Sequence, residues 1–197
     1  MAIAFASPLA TPAAAGCRQT SRSDAARIAA MFDDHFVPVW RFLRRLGVPT
    51  GDVDDHAQEV MLVASRKLDQ IEYGKERGFL LGVAYRIASD ARRAIASRRE
   101  TDDDMLEERE DPSPDPEMLA DQLHARAVLD QLLQGMPLDF RAVFVLTELD
   151  ELSMAEISEL LGLPPGTVAS RLRRGREYFD EKVRRLQARF AQAGGVE

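Results

Sequence analysis

The chain of 197 residues has one cysteine and three histidines, so few kinds of reactive or metal-binding site are open to it. Cys17 cannot form a disulfide or a cysteine-based zinc site within the chain. His35, His56 and His124 lie in separate segments and form no ligand pattern. The sequence also lacks a nucleophile–base pair and a phosphate-binding loop. We therefore predict no catalytic residues, no metal, no cofactor and no enzymatic activity.

Long apolar runs are missing as well. No segment approaches the roughly 20 apolar residues that a membrane helix requires, so we predict no membrane insertion. Residues 1–22 are rich in small residues, as secretion signals are, but no basic residue precedes the apolar stretch, and Pro8 and Pro12 interrupt it. We predict a disordered leader over residues 1–22 and a cytoplasmic protein.

Lysine is scarce too, because arginine accounts for 23 of the 26 basic residues, and its planar guanidinium suits bidentate contacts to phosphate and guanine. The net charge of −7 is unevenly spread. Residues 165–190 contain eight basic and three acidic side chains, and residues 84–99 contain five and one. Residues 100–121 contain eleven acidic side chains and one basic. Because salt screens charge over roughly 8 Å, both basic segments can bind nucleic acid despite the negative total.

Residues 152–178 predict two short helices joined by a tight turn. Ser153 and Glu156 form a capping box, which begins the first helix. Gly162 ends it, and the Pro-Pro-Gly sequence that follows cannot continue a helix. Thr167 then caps the second helix. The inward faces are apolar at helical spacing, with Ile157, Leu160 and Leu161 in the first helix and Val168 and Leu172 in the second.

The other faces of the second helix carry Ala169, Ser170, Arg171, Arg173, Arg174 and Arg176. Two capped helices with a basic second member are typical of a helix-turn-helix, whose second helix enters the major groove of DNA. The pattern by itself leaves one alternative open, an amphipathic helical hairpin with a solvated basic face.

The spacing of apolar residues predicts helices throughout the segment from Ser23 to about residue 99. Ser23 can cap a first helix, and Pro38 is predicted to start a second. A third helix has an apolar stripe of Val53, Ala57, Val60, Met61, Ala64 and Leu68. A loop over residues 69–78 precedes a fourth helix, which begins at Phe79.

An acidic stretch with three alternating prolines follows, and it predicts a linker. Asp115 or Asp121 caps the next helix, which runs to Leu133, and another helix runs from Leu138 to Leu149. The predicted fold is all-α, with two small helical domains and an acidic flexible linker. Its parts are residues 23–99, the linker over 100–121, residues 122–190, and a tail over 191–197.

Three stretches resemble a known family, the extracytoplasmic-function (ECF) group of the sigma-70 family of bacterial RNA polymerase sigma factors. Residues 52–61, DVDDHAQEVM, are similar to its polymerase-binding helix. Residues 79–93, FLLGVAYRIASDARR, resemble its helix that reads the −10 promoter element. Residues 136–176 resemble its domain that reads the −35 element. The resemblance covers about residues 24–99 and 126–190.

The resemblance implies that the chain binds core RNA polymerase, through the β′ clamp and the β subunit, and promoter DNA. It also implies restraint by an anti-sigma protein. The residues that would face the polymerase are Asp54, Asp55, Gln58 and Glu59. Apart from the resemblance, the same residues suit a solvated helix face.

Two further sets would bind DNA. The −10 element is read as a single strand, which requires stacking surfaces and a basic groove. The residues for it are Tyr73, Lys75, Arg77, Phe79, Tyr85, Arg86, Arg92 and Arg93. Tyr73 and Tyr85 also suit ordinary half-buried aromatic positions. The residues for the −35 duplex are Thr167, Ser170, Arg171, Arg173, Arg174 and Arg176, of which Arg171 and Arg176 suit phosphate contact or packing.

The chain departs from the family pattern at Phe79, Arg86 and Ala169, and these departures bear on promoter preference rather than on fold. The predicted function is therefore a promoter-specificity subunit that reads the −35 duplex and helps open the −10 element. The alternative is a stand-alone helix-turn-helix regulator of operator DNA. Residues 52–93 discriminate between them, because a regulator needs a ligand pocket or dimer seam there, whereas the sequence shows a polar helix followed by a basic one.

Overall fold

A computed structural model describes residues 22–101 and 118–193 of the chain. These residues form seven α-helices and no strand, which confirms the all-α prediction. The predicted leader lies outside them except for Arg22, as do most of the linker, Asp115 and the last four residues. The helices are α1 (Arg22–Arg45), α2 (Thr50–Arg66), α3 (Glu76–Thr101), α4 (Met118–Leu133), α5 (Leu138–Glu148), α6 (Met154–Leu161) and α7 (Pro165–Ala193).

The first helix continues through Pro38, so the predicted boundary there is wrong. Proline removes one backbone hydrogen bond from a helix interior. Burial of Met31 before it and of Val39 and Phe42 after it anchors both halves of α1 to the same core. Ser23 is the second residue of α1 and lies inside its first turn instead of before it.

The turn from α1 into α2 depends on Gly47. This residue has a φ of +87°, a conformation that costs a residue with a Cβ roughly 1–2 kcal/mol. A Cβ atom there would also lie 2.5 Å from Nη1 of Arg141 and 2.7 Å from Nη1 of Arg92. Glycine at this position therefore lets two guanidinium groups approach the backbone at the end of α1.

The apolar stripe predicted for the third helix is confirmed. All five of its residues in α2 are buried: Val53, Ala57, Val60, Met61 and Ala64. The sixth, Leu68, is buried in a short 3₁₀ turn over Leu68–Gln70. The following helix, α3, begins at Glu76, three residues before the predicted start, because Glu76 suits a helix N-terminus, where the macrodipole favours negative charge.

In the C-terminal half, the helix-turn-helix forms as predicted, with one change at the turn. The hydroxyl of Ser153 accepts from the Glu156 backbone N–H, and the Glu156 carboxylate accepts from the Ser153 N–H, which confirms the capping box. Gly162 ends α6 in the left-handed conformation. The helix α7 begins at Pro165, because proline is tolerated in a first turn, so Thr167 lies inside that turn and is not its cap.

Two helix groups result: the N-terminal group, α1–α3, and the C-terminal group, α4–α7. Asp121 lies within α4 and does not cap it. The groups pack on each other where α3 meets α6, and the Leu160 side chain lies against the buried Gly82. Arg44 of α1 also pairs with Asp130 of α4 at 3.0 Å.

Candidate nucleic-acid interface

The helix α7 is fixed against α5 at three points. Gly175 is buried, and a Cβ there would come within 3.2 Å of the Phe140 carbonyl oxygen, a tight contact, so glycine favours the close approach of the two helices. Arg171 donates to Asp139 at 2.8 Å, and Arg176 pairs with Glu148 at 2.7 Å. Asp139 and Glu148 lie at opposite ends of α5, so the two ion pairs fix the orientation of α7.

With Val168 and Leu172 buried, three predicted DNA residues form the exposed recognition face of α7: Ser170, Arg173 and Arg174. Arg173 pairs with Glu177 one turn away at 2.6 Å, an exposed pair worth roughly 0.3–0.5 kcal/mol and easily exchanged for another anion. The Arg174 guanidinium lies 5.7 Å from the Phe140 ring centre. The Ser170 hydroxyl donates to the Thr167 carbonyl at 2.9 Å, and its oxygen can still accept.

On α3, some of the predicted −10 residues are exposed and others contact the rest of the protein. Arg86 and Arg93 are exposed, and Arg93 has only a 3.5 Å pair with Asp90. Arg92 donates to the Leu46 carbonyl at 3.1 Å, close to the negative end of the α1 dipole. Phe79 and Tyr85 are half-buried against the core, the alternative that the sequence left open for Tyr85.

Arg77 lies in the first turn of α3 and reaches the C-terminal group. It donates to the Asp150 carbonyl at 2.8 Å and lies 3.4 Å from the Asp150 carboxylate. Burial raises the pKa of Asp150, and the nearby Arg45 and Arg77 charges offset only part of this effect. The second carboxylate oxygen of Asp150 has no hydrogen-bond partner. In this arrangement Arg77 joins the two helix groups.

A second buried charge lies nearby. The Arg141 side chain is 2% exposed, and its Nε has no hydrogen-bond partner. Burial, with the positive charge of Arg92 beside it, lowers the pKa of Arg141 to about 10. The guanidinium groups of Arg141 and Arg92 therefore lie close together beside Gly47.

The loop before α3, residues 71–75, is here called the Tyr73 loop. Tyr73 is 78% exposed, and Lys75 is exposed beside it. The Arg27 guanidinium, from α1, lies 4.0 Å from the centre of the Tyr73 ring. Arg27 also donates to Glu76 at 2.7 Å and to the Ile71 carbonyl at 2.6 Å. Sequence reasoning missed Arg27, since nothing in the local pattern of α1 signals a contact more than forty residues away.

The buried environment raises the pKa of Glu76, but hydrogen bonds from Arg27 and from the backbone outweigh this effect. The net result is a pKa below the ordinary value of a glutamate, so Glu76 is ionised at neutral pH. The Arg27–Glu76 pair is therefore charged on both sides, and charge-assisted hydrogen bonds are the stronger kind.

The predicted polymerase-binding residues lie on α2. Asp55, Gln58 and Glu59 are exposed along one edge of a shallow groove. The apolar part of this groove is formed by Ile28, Phe32, Met61 and Leu62. Phe32 and Leu62 are 44% and 49% exposed and lie in the same groove, so they form a patch and are not isolated apolar positions. Asp54 instead accepts a hydrogen bond from the Trp40 indole at 2.8 Å and so links α2 to α1.

Two negative findings concern the described part of the chain alone. Its histidine, cysteine and acidic side chains form no group that could hold a metal ion. None of its helices is both long and apolar enough to cross a membrane.

Comparison with known proteins places this geometry in a family. The family model "Sigma-70, region 4" matches residues 126–178. The ECF RNA polymerase sigma-E factor of Escherichia coli (strain K12) is 34% identical over 152 residues, which cover 71% of this chain and 78% of that protein. The chain belongs to the ECF RNA polymerase sigma factors.

A more distant relative agrees with this assignment. The ECF RNA polymerase sigma factor SigE of Mycolicibacterium smegmatis is 29% identical to this sigma factor over 160 residues, which cover 81% of this chain and 62% of that protein.

Solved structures agree at the level of fold. CnrH, solved in complex with the cytosolic domain of CnrY, has a TM-score of 0.56 and 22% identity over 84% of this chain and 97% of its own. The sigma factor RpoE of Bartonella quintana, solved with the anti-sigma factor NepR, has a TM-score of 0.64 and 17% identity over 83% of this chain and 98% of its own.

The structure brings some predicted residues of this sigma factor together and separates others. The recognition face and the acidic edge of α2 are each continuous and exposed. The residues predicted for the −10 element are not equally available. Arg77, although exposed, and Arg92 donate to backbone carbonyl groups of other segments, while Tyr73, Arg86 and Arg93 extend from the surface. Besides Arg27, sequence reasoning missed Asp150 and Trp40, whose contacts depend on the tertiary fold.

Proposed function

We propose that this ECF sigma factor binds core RNA polymerase and directs promoter-specific initiation by reading the −35 duplex and helping to open the −10 element. The proposal depends mainly on one observation: family membership combined with two exposed helix faces of opposite charge on different helix groups. An acidic face on α2 suits a protein partner with basic residues, and an arginine face on α7 suits DNA.

For the polymerase, we assign Asp55, Gln58 and Glu59 together with the neighbouring apolar groove. Interfaces combine a desolvated apolar core with a polar rim, and the exposed Phe32 and Leu62 provide such a core beside the carboxylates. Asp54 contributes indirectly, since its hydrogen bond with Trp40 holds α2 against α1. The partner surfaces proposed are the β′ clamp for this helix and the β subunit elsewhere.

For DNA, residues 23–99 would bind the opened −10 strand and residues 122–190 the −35 duplex. On the duplex, Ser170, Arg173 and Arg174 are assigned to base edges, because they form the exposed recognition face. Thr167 lies at the start of α7, where a helix N-terminus favours phosphate. Arg171 and Arg176 orient α7 through their ion pairs and lie beside the path of the phosphates.

On the single strand, the exposed Tyr73 offers a stacking surface, and Lys75, Arg86 and Arg93 offer positive charge. Phe79 and Tyr85 support these residues from the core side of α3. Arg77 and Arg92 reach DNA only after leaving Asp150 and Leu46.

The sigma factor would act in the cytoplasm without catalytic activity of its own. NepR, the partner in one similar structure, is named an anti-sigma factor, which supports a comparable partner here. The stand-alone regulator is disfavoured, since α2 presents an exposed acidic edge where a regulator needs a sensing pocket or dimer seam.

Run-off transcription with purified core polymerase, together with the affinity of each variant for that polymerase, tests the proposal. Asp55→Ala/Glu59→Ala should weaken binding to core polymerase by about 30-fold or more, because truncating an interface hot spot costs about 2 kcal/mol or more. Glu159→Ala/Glu181→Ala removes the same charge from exposed positions of the C-terminal group and should leave core binding unchanged. Failure of the wild-type protein to bind core polymerase, or equal losses in both variants, would contradict the assignment.

A further inference from the structure

One arginine of α1 holds the Tyr73 loop in place. Arg27 donates to the Glu76 carboxylate through Nε and Nη2, at 3.1 and 2.7 Å. It also donates to the Leu68 carbonyl at 3.3 Å and to the Ile71 carbonyl at 2.6 Å. These contacts join the 3₁₀ turn, the loop and the first turn of α3, so one guanidinium fixes both ends of the Tyr73 loop.

The same guanidinium lies over the face of the Tyr73 ring, 4.0 Å from its centre. A cation on one face of an aromatic ring restrains that ring without covering its other face. Tyr73 is nevertheless 78% exposed, so the remaining surface of the ring is open to solvent. An aromatic ring that is held on one face and exposed on the other has the properties of a stacking platform for an unpaired base.

The hydrogen-bonding groups of Arg27 argue against direct contact with DNA. Nε, Nη1 and Nη2 all donate within the protein, and the ionised Glu76 neutralises the charge. The side chain is also only 13% exposed. Its effect on DNA can therefore come only through the loop and the ring that it holds.

We propose that Arg27 is a positioning residue for promoter opening, which holds the Tyr73 ring in the orientation that stacks an unpaired base of the −10 strand. The proposal rests on the proposed role of the Tyr73 loop in −10 capture. Holding the ring in advance removes the entropic cost of ordering it when the strand binds.

The test uses reconstituted holoenzyme and fork-junction DNA that carries the −10 strand unpaired, built on a promoter selected from random DNA by the wild-type holoenzyme. Tyr73→Ala and Arg27→Ala should each weaken binding to the fork by roughly 5- to 150-fold, the range for loss of one stacked base. Because Arg27 acts through Tyr73, the double variant should bind no more weakly than Tyr73→Ala. Affinity for core polymerase and for −35 duplex alone should remain at the wild-type value.

Two variants separate positioning from folding. Arg27→Lys keeps the positive charge near Glu76 but cannot span the carbonyl groups and the ring, so it should also bind the fork weakly. Arg41→Ala removes an exposed arginine from the same helix and should bind the fork normally. Circular dichroism of each variant should match the wild type.

The outcomes distinguish this inference from the function on which it rests. A normal fork affinity of Tyr73→Ala would overturn the role of the loop, and with it the role of Arg27. Weak binding by Tyr73→Ala combined with normal binding by Arg27→Ala would overturn the positioning role alone. Losses that add in the double variant would also overturn it, because they would show that Arg27 acts independently of the ring.

Discussion

The arginines of α3 and those of α7 lie in different surroundings, although both helices are basic. On α3, Arg77 and Arg92 donate to backbone carbonyls of other elements, at Asp150 and Leu46. On α7, Arg173 and Arg174 extend from the helix surface, with a neighbouring glutamate and a phenylalanine ring as their nearest partners. The first kind of arginine connects parts of the protein, whereas the second kind is available to a ligand.

The difference shows that a count of basic residues does not locate a DNA-binding surface. A guanidinium with a buried carbonyl acceptor would leave that acceptor unsatisfied if it moved to a phosphate, at a cost of roughly 1–3 kcal/mol. An exposed guanidinium paired with a carboxylate on its own helix loses at most a few tenths of a kcal/mol. The fold therefore makes the recognition face of α7 the more readily available of the two surfaces.

The largest effect is expected on the α7 side of this comparison. Arg173→Ala/Arg174→Ala should weaken holoenzyme binding to the −35 element of a selected promoter by about 1–3 kcal/mol for each arginine–base pair that the substitutions break. Competition binding between the selected −35 element and a scrambled −35 sequence measures this loss of affinity. Arg184→Ala/Arg185→Ala makes the same charge change farther along α7. It should weaken binding to the selected and the scrambled DNA equally, because it removes attraction to phosphates only. Similar loss of discrimination in both variants would refute the assignment of Arg173 and Arg174 to bases.

The next effect concerns the α3 side. Arg92→Ala should lower the free energy of unfolding by about 1.5–3 kcal/mol, the contribution of a hydrogen bond from a charged group. Relief of the repulsion between Arg92 and Arg141 should make this loss smaller. Arg93→Ala, at the exposed neighbouring position, should leave stability within about 0.5 kcal/mol of the wild type. Urea titrations measure both. A larger loss for Arg93→Ala than for Arg92→Ala would reverse the distinction between connecting and available arginines.

The smallest effect is a pH dependence at Asp150. Because its pKa is raised in the folded protein above the ordinary aspartate value of 3.8, the folded state holds this proton more tightly than the unfolded state. Stability from this group is therefore lost as the pH rises from about 4 through the folded pKa. Asp150→Asn lacks this loss, so its stability relative to the wild type should increase with pH across that window. Urea titrations between pH 4 and pH 8 measure the difference, and a difference independent of pH would show that the pKa is not raised.

Local chemistry made much of the fold predictable. The apolar stripe of α2, the Ser153–Glu156 capping box and the break at Gly162 all follow from residues close in sequence. The errors arose where packing overrides a local preference, as at Pro38, where burial on both sides keeps α1 continuous. The start of α7 at Pro165 shows that a helix breaker can also begin a helix.

The candidate site was predictable to a different degree on each side. Helical periodicity placed Val168 and Leu172 inward, and the resemblance to the family then selected Ser170, Arg173 and Arg174 among the outward residues of the helix. The surroundings of Arg77 and Arg27 depend on contacts between distant segments, with Asp150 and with the Tyr73 loop. No pattern in a single sequence predicts such contacts, because the residues next to each partner in the sequence give no sign that it pairs with a distant segment.

Trp40 is the only tryptophan of the chain, and its indole bonds Asp54 across the contact between α1 and α2. Its fluorescence emission therefore monitors the unfolding of the N-terminal half of the molecule without an added dye, whereas far-ultraviolet circular dichroism reports all the helices together. Superimposable melting curves from the two signals would mean that both halves melt as one cooperative unit. An earlier or later emission transition would mean that they melt separately.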